Sequence, residues 1–128
     1  MKRLIQTDHA PAAIGPYSQG IIAEGGKILF TAGQIPIDPT IGEMRNDSIQ
    51  QATEQVLNNI KAILEAAGSS MENVLKITVF MADISEFAAM NEVYARFFPD
   101  NPPARSAFQV AALPKGARIE IEAIALVE

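Results

Sequence analysis

The chain has 128 residues, a net charge of −5 and 48% hydrophobic residues, which fits one domain whose core buries roughly two-thirds of the unfolded surface. Its five lysines and five arginines are scattered without a basic run, which argues against a nucleic-acid partner, and the absence of cysteine excludes disulfides and thiolate chemistry. No apolar run approaches about 18 residues and the first residues lack a charged-then-apolar leader, so the expectation is a cytoplasmic chain with no membrane association.

Lys2 to Thr7 reads as a short edge strand, followed by a polar, proline-containing approach that holds the single histidine, His9. Tyr17–Glu24 and Lys27–Ile35 read as two strands around Gly25-Gly26, a two-residue hairpin signal. Tyr17 is either a strand aromatic with its hydroxyl at the rim or a hydrogen-bond donor in a pocket. Gly33, inside Ala32-Gly33-Gln34, marks either a bulge or a place where a ligand touches bare backbone. Ile35 to Gly42 is a turn-rich loop.

Asp47 to Ala67 is the strongest helix. Asp47 and Gln50 stand at capping-box spacing, and Ile49, Ala52, Val56, Leu57, Ile60, Ile63, Leu64 and Ala67 make one apolar stripe, ended by Gly68. Val74 to Ala82 is a strand that is apolar on both faces. Helices cover one face; a chain this short has little left for the other, so a second subunit is expected there. Asp83 to Phe98 is a second helix, with Asp83 and Glu86 as its capping pair and a stripe of Ile84, Phe87, Ala88, Tyr94, Phe97 and Phe98. Asn91 lies beside that stripe, where a plain surface amide is the bland alternative to a role in a site.

The last stretch, Pro102 to Val127, holds two strand-like runs around Pro114-Lys115-Gly116, which reads as an antiparallel hairpin. With a two-residue loop, Leu113 faces Gly116, and Arg105, Ala107 and Gln109 share a sheet face with Glu120. Arg105 and Glu120 are then offset by about 13 Å of strand, room for a small anion between them. A different loop length reverses this. The element order is β-β-β-α-β-α-β-β, an α+β layered single domain over residues 1–128 with two helices on one face of a mostly antiparallel or mixed sheet.

One histidine and no cysteine leave no Cys-His pair, no zinc-ligand spacing and no plausible Ser-His-acid triad, and no glycine-rich phosphate loop is present. Catalysis, if any, then falls to Arg, Glu, Tyr, backbone groups and water, without a metal or other cofactor. Arg105 is the central candidate, because a guanidinium offers a planar donor fork that matches a carboxylate. Glu120 is the second, since a carboxylate in a small-molecule cleft can orient water or carry a proton. For each, an exposed strand position is the bland alternative.

Four stretches, APAAIGPYSQG (10–20), TAGQIPIDPTIGE (31–43), NVLKITVFMADISEFAAMNEVYARFF (73–98) and PPARSAFQVAALPKGARIEIEAIA (102–125), together closely resemble the Rid family of enamine/imine deaminases. The resemblance implies a chorismate-mutase-like homotrimer, with sheets inward, helices outward and three sites in the clefts between subunits. It implies cofactor-free hydrolysis of 2-imino and enamine acids, such as 2-iminobutanoate and 2-iminopropanoate, to 2-keto acids and ammonia. Arg105 would grip the substrate carboxylate and Glu120 would stand beside the hydrolytic water, with Tyr17, Gly33, Ala107, Phe87 and Asn91 as further substrate contacts. Two departures bear on substrate range: Ala32 and Ala107 stand where some relatives have serine and cysteine. Rival expectations are an endoribonuclease or translation inhibitor, and a non-catalytic trimer that senses keto acids or binds proteins.

Overall fold

Helix α1 (Ile49–Ala66) forms where the apolar stripe is clearest, and its Ile49, Ala52, Val56, Leu57, Ile60 and Leu64 are all buried in the computed structural model, which describes residues 1–128. The cap lies one residue later than Asp47. Ser48 Oγ accepts from the Gln51 backbone N–H at 3.1 Å, and Gln51 Oε1 accepts in return from the Asp47 N–H at 2.9 Å. Two residues here have a capping side chain, and Ser48 is the one at box spacing from a glutamine that reaches back; Gln50 points to solvent. Helix α2 (Phe87–Phe97) is likewise shorter than the expected 83–98. Asp83 caps a 3₁₀ turn (Ile84–Glu86) by accepting from Ser85, while Glu86 pairs with Arg118 instead of closing a box. Ile84 and Ala88 are therefore exposed, and Met90, Val93 and Tyr94 are the buried side of α2.

The strands are β1 (Lys2–Ile5), β2 (Gly20–Ala23), β3 (Lys27–Phe30), β4 (Ile37–Asp38), β5 (Glu43–Met44), β6 (Val74–Met81), β7 (Ala104–Gln109) and β8 (Ile119–Val127). The main sheet has the order β3-β8-β6-β7, with β6–β7 parallel and the other pairs antiparallel. The fold is thus the expected single α+β layer pair, two helices on a mixed sheet. Two hairpin expectations fail. Gly25 and Gly26 do turn the chain, with φ of +71° and +67°, but β2 pairs with β1 and β3 with β8. Likewise β7 and β8 do not pair with each other: β6 lies between them. A parallel pair needs a crossover, and α2 supplies it between β6 and β7, leaving Val110–Arg118 to pass over the end of β6. The loop expected at 35–42 includes β4 and turns it back onto β5 in a small antiparallel ribbon. There Asp38 accepts from Thr40 and Arg45, bonds that hold its carboxyl down to about 2.

Val56, Leu57, Ile60 and Leu64 of α1, with Met90 and Tyr94 of α2, pack on Ile77, Val79 and Met81 of β6 and Ile119, Ile121 and Ala123 of β8. A register shift between Val74 and Lys76 adds Val74 to this buried side. Most of the opposite face of the sheet is left uncovered by the chain itself, Leu126 at its end being buried. Phe30 is 70% exposed, Ile28 and Phe108 are exposed, and Phe80 meets Phe108 edge-to-face at 5.3 Å. No helix is long and apolar enough to cross a membrane.

Candidate active site

Arg105 stands on edge strand β7 in register with Ile77 of β6, so its side chain rises on the helix-covered face. There α2 meets it. Arg105 Nη1 donates to Asn91 Oδ1 at 2.6 Å, and the guanidinium carbon lies 4.7 Å from the Tyr94 ring centre, 5.4 Å from Phe87 and 5.5 Å from Tyr17. Tyr17 is brought in from the other side because Ser18 joins the start of β7: its N–H donates to Pro103 O, and its hydroxyl to Pro102 O. Gly15 completes the wall, with its Cα so placed that an added Cβ would sit 3.6 Å from Arg105 Nη2.

The electrostatics of this pocket are unusual for an acidic chain. Arg3, Arg45 and Arg118 each hold a carboxylate partner and unpaired Arg96 is exposed to water, whereas Arg105 is half-buried and has none. Burial pulls its pKa below the usual arginine value, the sign of a cation short of water and of a counter-ion. Neutral groups hold it: one amide oxygen and three aromatic faces. Most of its N–H donors have no partner within the chain, and a planar carboxylate is the anion that matches such a fork.

Glu120 belongs to a second cluster. It pairs in register with Phe80 and alternates with buried Ile119 and Ile121, so it rises on the uncovered face. Gly33 lies against it. Phe30 pairs with Ile124 and Thr31 N–H donates to Ala123 O, but the next link is Gln34 with Ile121, one residue out of step. That extra residue is a β-bulge, and it turns the bare Cα of Gly33 onto the Glu120 carboxylate, where a Cβ would collide. The bulge expected at Gly33 is present, and the group that approaches its bare backbone is the Glu120 side chain.

The shared sheet face expected for Arg105 and Glu120 is therefore wrong. It came from pairing β7 with β8 directly. With β6 inserted, Ala107 pairs with Val79 and faces the helices beside Arg105, while Glu120 faces the other way. Two strand spacings and three residues separate the backbones of Arg105 and Glu120, roughly 14 Å, with the sheet between their side chains. Tyr17, Phe87 and Asn91 gather at Arg105, Ala107 stands beside it on the same face, and Gly33 stands with Glu120. Gln109 turns to the start of the 3₁₀ turn, where it accepts from the Ile84 N–H, and His9 is an exposed loop residue.

The family described as Endoribonuclease L-PSP matches residues 7–127. The chain belongs to the endoribonuclease L-PSP family. Rid proteins are part of it: one from Yersinia pestis is 46% identical, covers 99% of this chain and 100% of its own, and superposes with a TM-score of 0.76. A human 2-iminobutanoate/2-iminopropanoate deaminase is 47% identical over 98% of this chain and 90% of its own length. The structure of E. coli TdcF with bound serine is 45% identical with a TM-score of 0.76, covering 98% of this chain and 99% of that one. A Thermotoga maritima relative of the same family, 53% identical with a TM-score of 0.78 over 100% of this chain and 99% of that one, is described as a putative endoribonuclease.

In this L-PSP-family chain, Tyr94 and Gly15 join the site without standing out in the sequence. Tyr94 fits an apolar stripe, although Phe87, Asn91 and Tyr94 stand at i, i+4 and i+7 on one helix face and all three touch Arg105. That spacing was the available signal.

Proposed function

We propose that this protein hydrolyses small 2-imino acids, such as 2-iminobutanoate and 2-iminopropanoate, to 2-keto acids and ammonia without a cofactor. The observation that carries the reading is Arg105, a half-buried cation with no acidic partner, held by Asn91 and three rings with its donors free. The fork takes the substrate carboxylate, which places the adjacent C=N carbon at a fixed distance from the clamp. Water adds to that carbon and a proton goes to nitrogen. The tetrahedral aminol then loses ammonia and leaves the ketone. Glu120 orients the water and carries the proton between oxygen and nitrogen. The deaminase names of relatives such as the human protein support the reaction class.

Because Arg105 and Glu120 rise on opposite faces of one sheet, a site that uses both takes Arg105 from one copy and Glu120 with Gly33 from another. The uncovered face around Phe30, Phe80 and Phe108 gives a second copy an apolar surface to bind, and a homotrimer closes such head-to-tail contacts with three equal sites. The endoribonuclease description of other relatives finds less support here, since a net charge of −5 without a basic cluster suits a small anion at one arginine better than a polyanion.

The test is ammonia release from 2-iminobutanoate made in situ by a threonine-dehydrating enzyme. The protein is expected to raise the rate well above spontaneous hydrolysis; an unchanged rate rejects the reading. Gly33→Ala probes the second cluster. Gly33 lies outside the left-handed region, so alanine suits its backbone, and the added Cβ displaces only the end of a flexible glutamate. Thermal stability should stay near wild type while turnover falls on the order of 100-fold, the usual cost of misplacing a reacting group by about 1 Å. Unchanged turnover in a folded Gly33→Ala protein removes Glu120 from the chemistry.

A further inference from the structure

Of the three rings around Arg105, Tyr94 is the nearest and the only one wholly shielded from solvent; Tyr17 and Phe87 keep exposed edges. It is itself held firmly. Its other neighbour is buried Phe98, at 4.8 Å between ring centres, and both rings belong to the core. Its hydroxyl has no hydrogen-bond partner, which makes the ring face its one polar interaction with a neighbour. A guanidinium with a single side-chain hydrogen bond, to Asn91, has one nitrogen fixed and its plane free to turn about that point. A second constraint is needed to hold the plane.

We propose that Tyr94 is a positioning residue for the anion clamp: its ring face seats the Arg105 guanidinium so that the free N–H donors are aimed at the cleft. The inference rests on the carboxylate-clamp reading above. An aromatic face attracts a cation through its quadrupole, more strongly where water is excluded, yet supplies no negative charge to compete with the ligand. A carboxylate in the same place would anchor the arginine better and occupy the fork. Burial also pushes the Tyr94 phenol up from its ordinary value, which keeps the ring neutral beside the cation. Phe87, Asn91 and Tyr94 form one row on α2, so a single helix supplies both the hydrogen bond that fixes the nitrogen and the face that fixes the plane.

The experiment compares Tyr94→Phe, Tyr94→Leu, and Tyr94→Phe made with mono-, di- and trifluorinated phenylalanine. Affinity for 2-ketobutanoate is measured by calorimetry and KM and kcat on in situ 2-iminobutanoate. Tyr94→Phe keeps the ring and removes an unpartnered hydroxyl, so it should bind and turn over like wild type and melt no lower. Tyr94→Leu should weaken keto-acid binding and raise KM by about 2- to 30-fold, the range of one cation–π contact. Fluorination drains the ring face with little change in size, so affinity should fall stepwise with fluorine number while the melting temperature does not follow. A purely structural role for Tyr94 gives no such grading. Flat affinity across the fluorinated series overturns the proposal, and that series decides the matter even if Tyr94→Leu fails to fold. The ¹⁵N signal of the Arg105 guanidinium in ligand-free protein gives an independent reading. Restricted rotation in wild type and Tyr94→Phe, lost in the trifluorinated variant, supports seating by Tyr94 even where the wild type binds no keto acid, the result that rejects the clamp instead.

Discussion

Arg105→Ala is expected to leave a folded protein that hydrolyses 2-iminobutanoate roughly 30-fold to several-thousand-fold more slowly, the equivalent of losing a charge-paired hydrogen bond worth about 2–5 kcal/mol. The fold should survive because Arg105 lies on an edge strand and binds within the protein only to Asn91 and the aromatic faces. Its removal also lifts a desolvated cation out of the pocket, so thermal stability should hold or rise. Arg105→Lys should fail nearly as badly in catalysis. A lysine ammonium keeps the charge but lacks the planar fork that binds a carboxylate through two parallel bonds. Steady-state kinetics with circular-dichroism melting checks both variants. Near-normal turnover by either one removes the clamp.

The second large effect concerns where the two halves of the site come from. Glu120→Gln is expected to bind keto acid normally and turn over slowly, since the change removes proton transfer and leaves the Arg105 pocket intact. Arg105→Ala and Glu120→Gln chains, each nearly inactive alone, should regain activity when unfolded and refolded together. In a random mixture, a site that draws Arg105 from one copy and Glu120 from its neighbour is intact in about one case in four, so close to a quarter of wild-type activity should return. The same proteins mixed after folding, without subunit exchange, should stay inactive. Mixed oligomers verified by mass that show no recovery place both residues in one copy of the chain, against the opposite-face geometry of β7 and β8.

Local signals were legible in the sequence and non-local pairing was not. The stripe of the first helix, the strand expected over 74–82 and the bulge at Gly33 each follow from short-range pattern; the structure keeps them, except that Ala67 at the end of the stripe is exposed and the strand stops at Met81. The final hairpin failed because Pro114-Lys115-Gly116 marks a turn without saying what lies between the strands it joins. Pro114–Gly116 does form a tight turn, with Lys115 in the left-handed region at φ 56°, but β6 had already taken the place beside β7 through the α2 crossover. Inserting one strand exchanged faces for Glu120 relative to Arg105, which separates the expected single cluster into two, one on each face of the sheet. Tyr94 was missed for a different reason. A buried tyrosine in an apolar stripe satisfies the helical pattern completely, so its place in one row with Phe87 and Asn91 is the only local cue, and its distance to Arg105 is what distinguishes it from ordinary core.

The central claim is that the free donors of Arg105 hold a small carboxylate. A crystal structure with 2-ketobutanoate, the product of the proposed reaction, tests it most directly. The account predicts both carboxylate oxygens on the Arg105 fork at about 2.9 Å, with the keto carbon turned toward a Glu120 carboxylate supplied by another copy. A keto acid bound elsewhere on the chain, with Arg105 still joined only to Asn91, contradicts it.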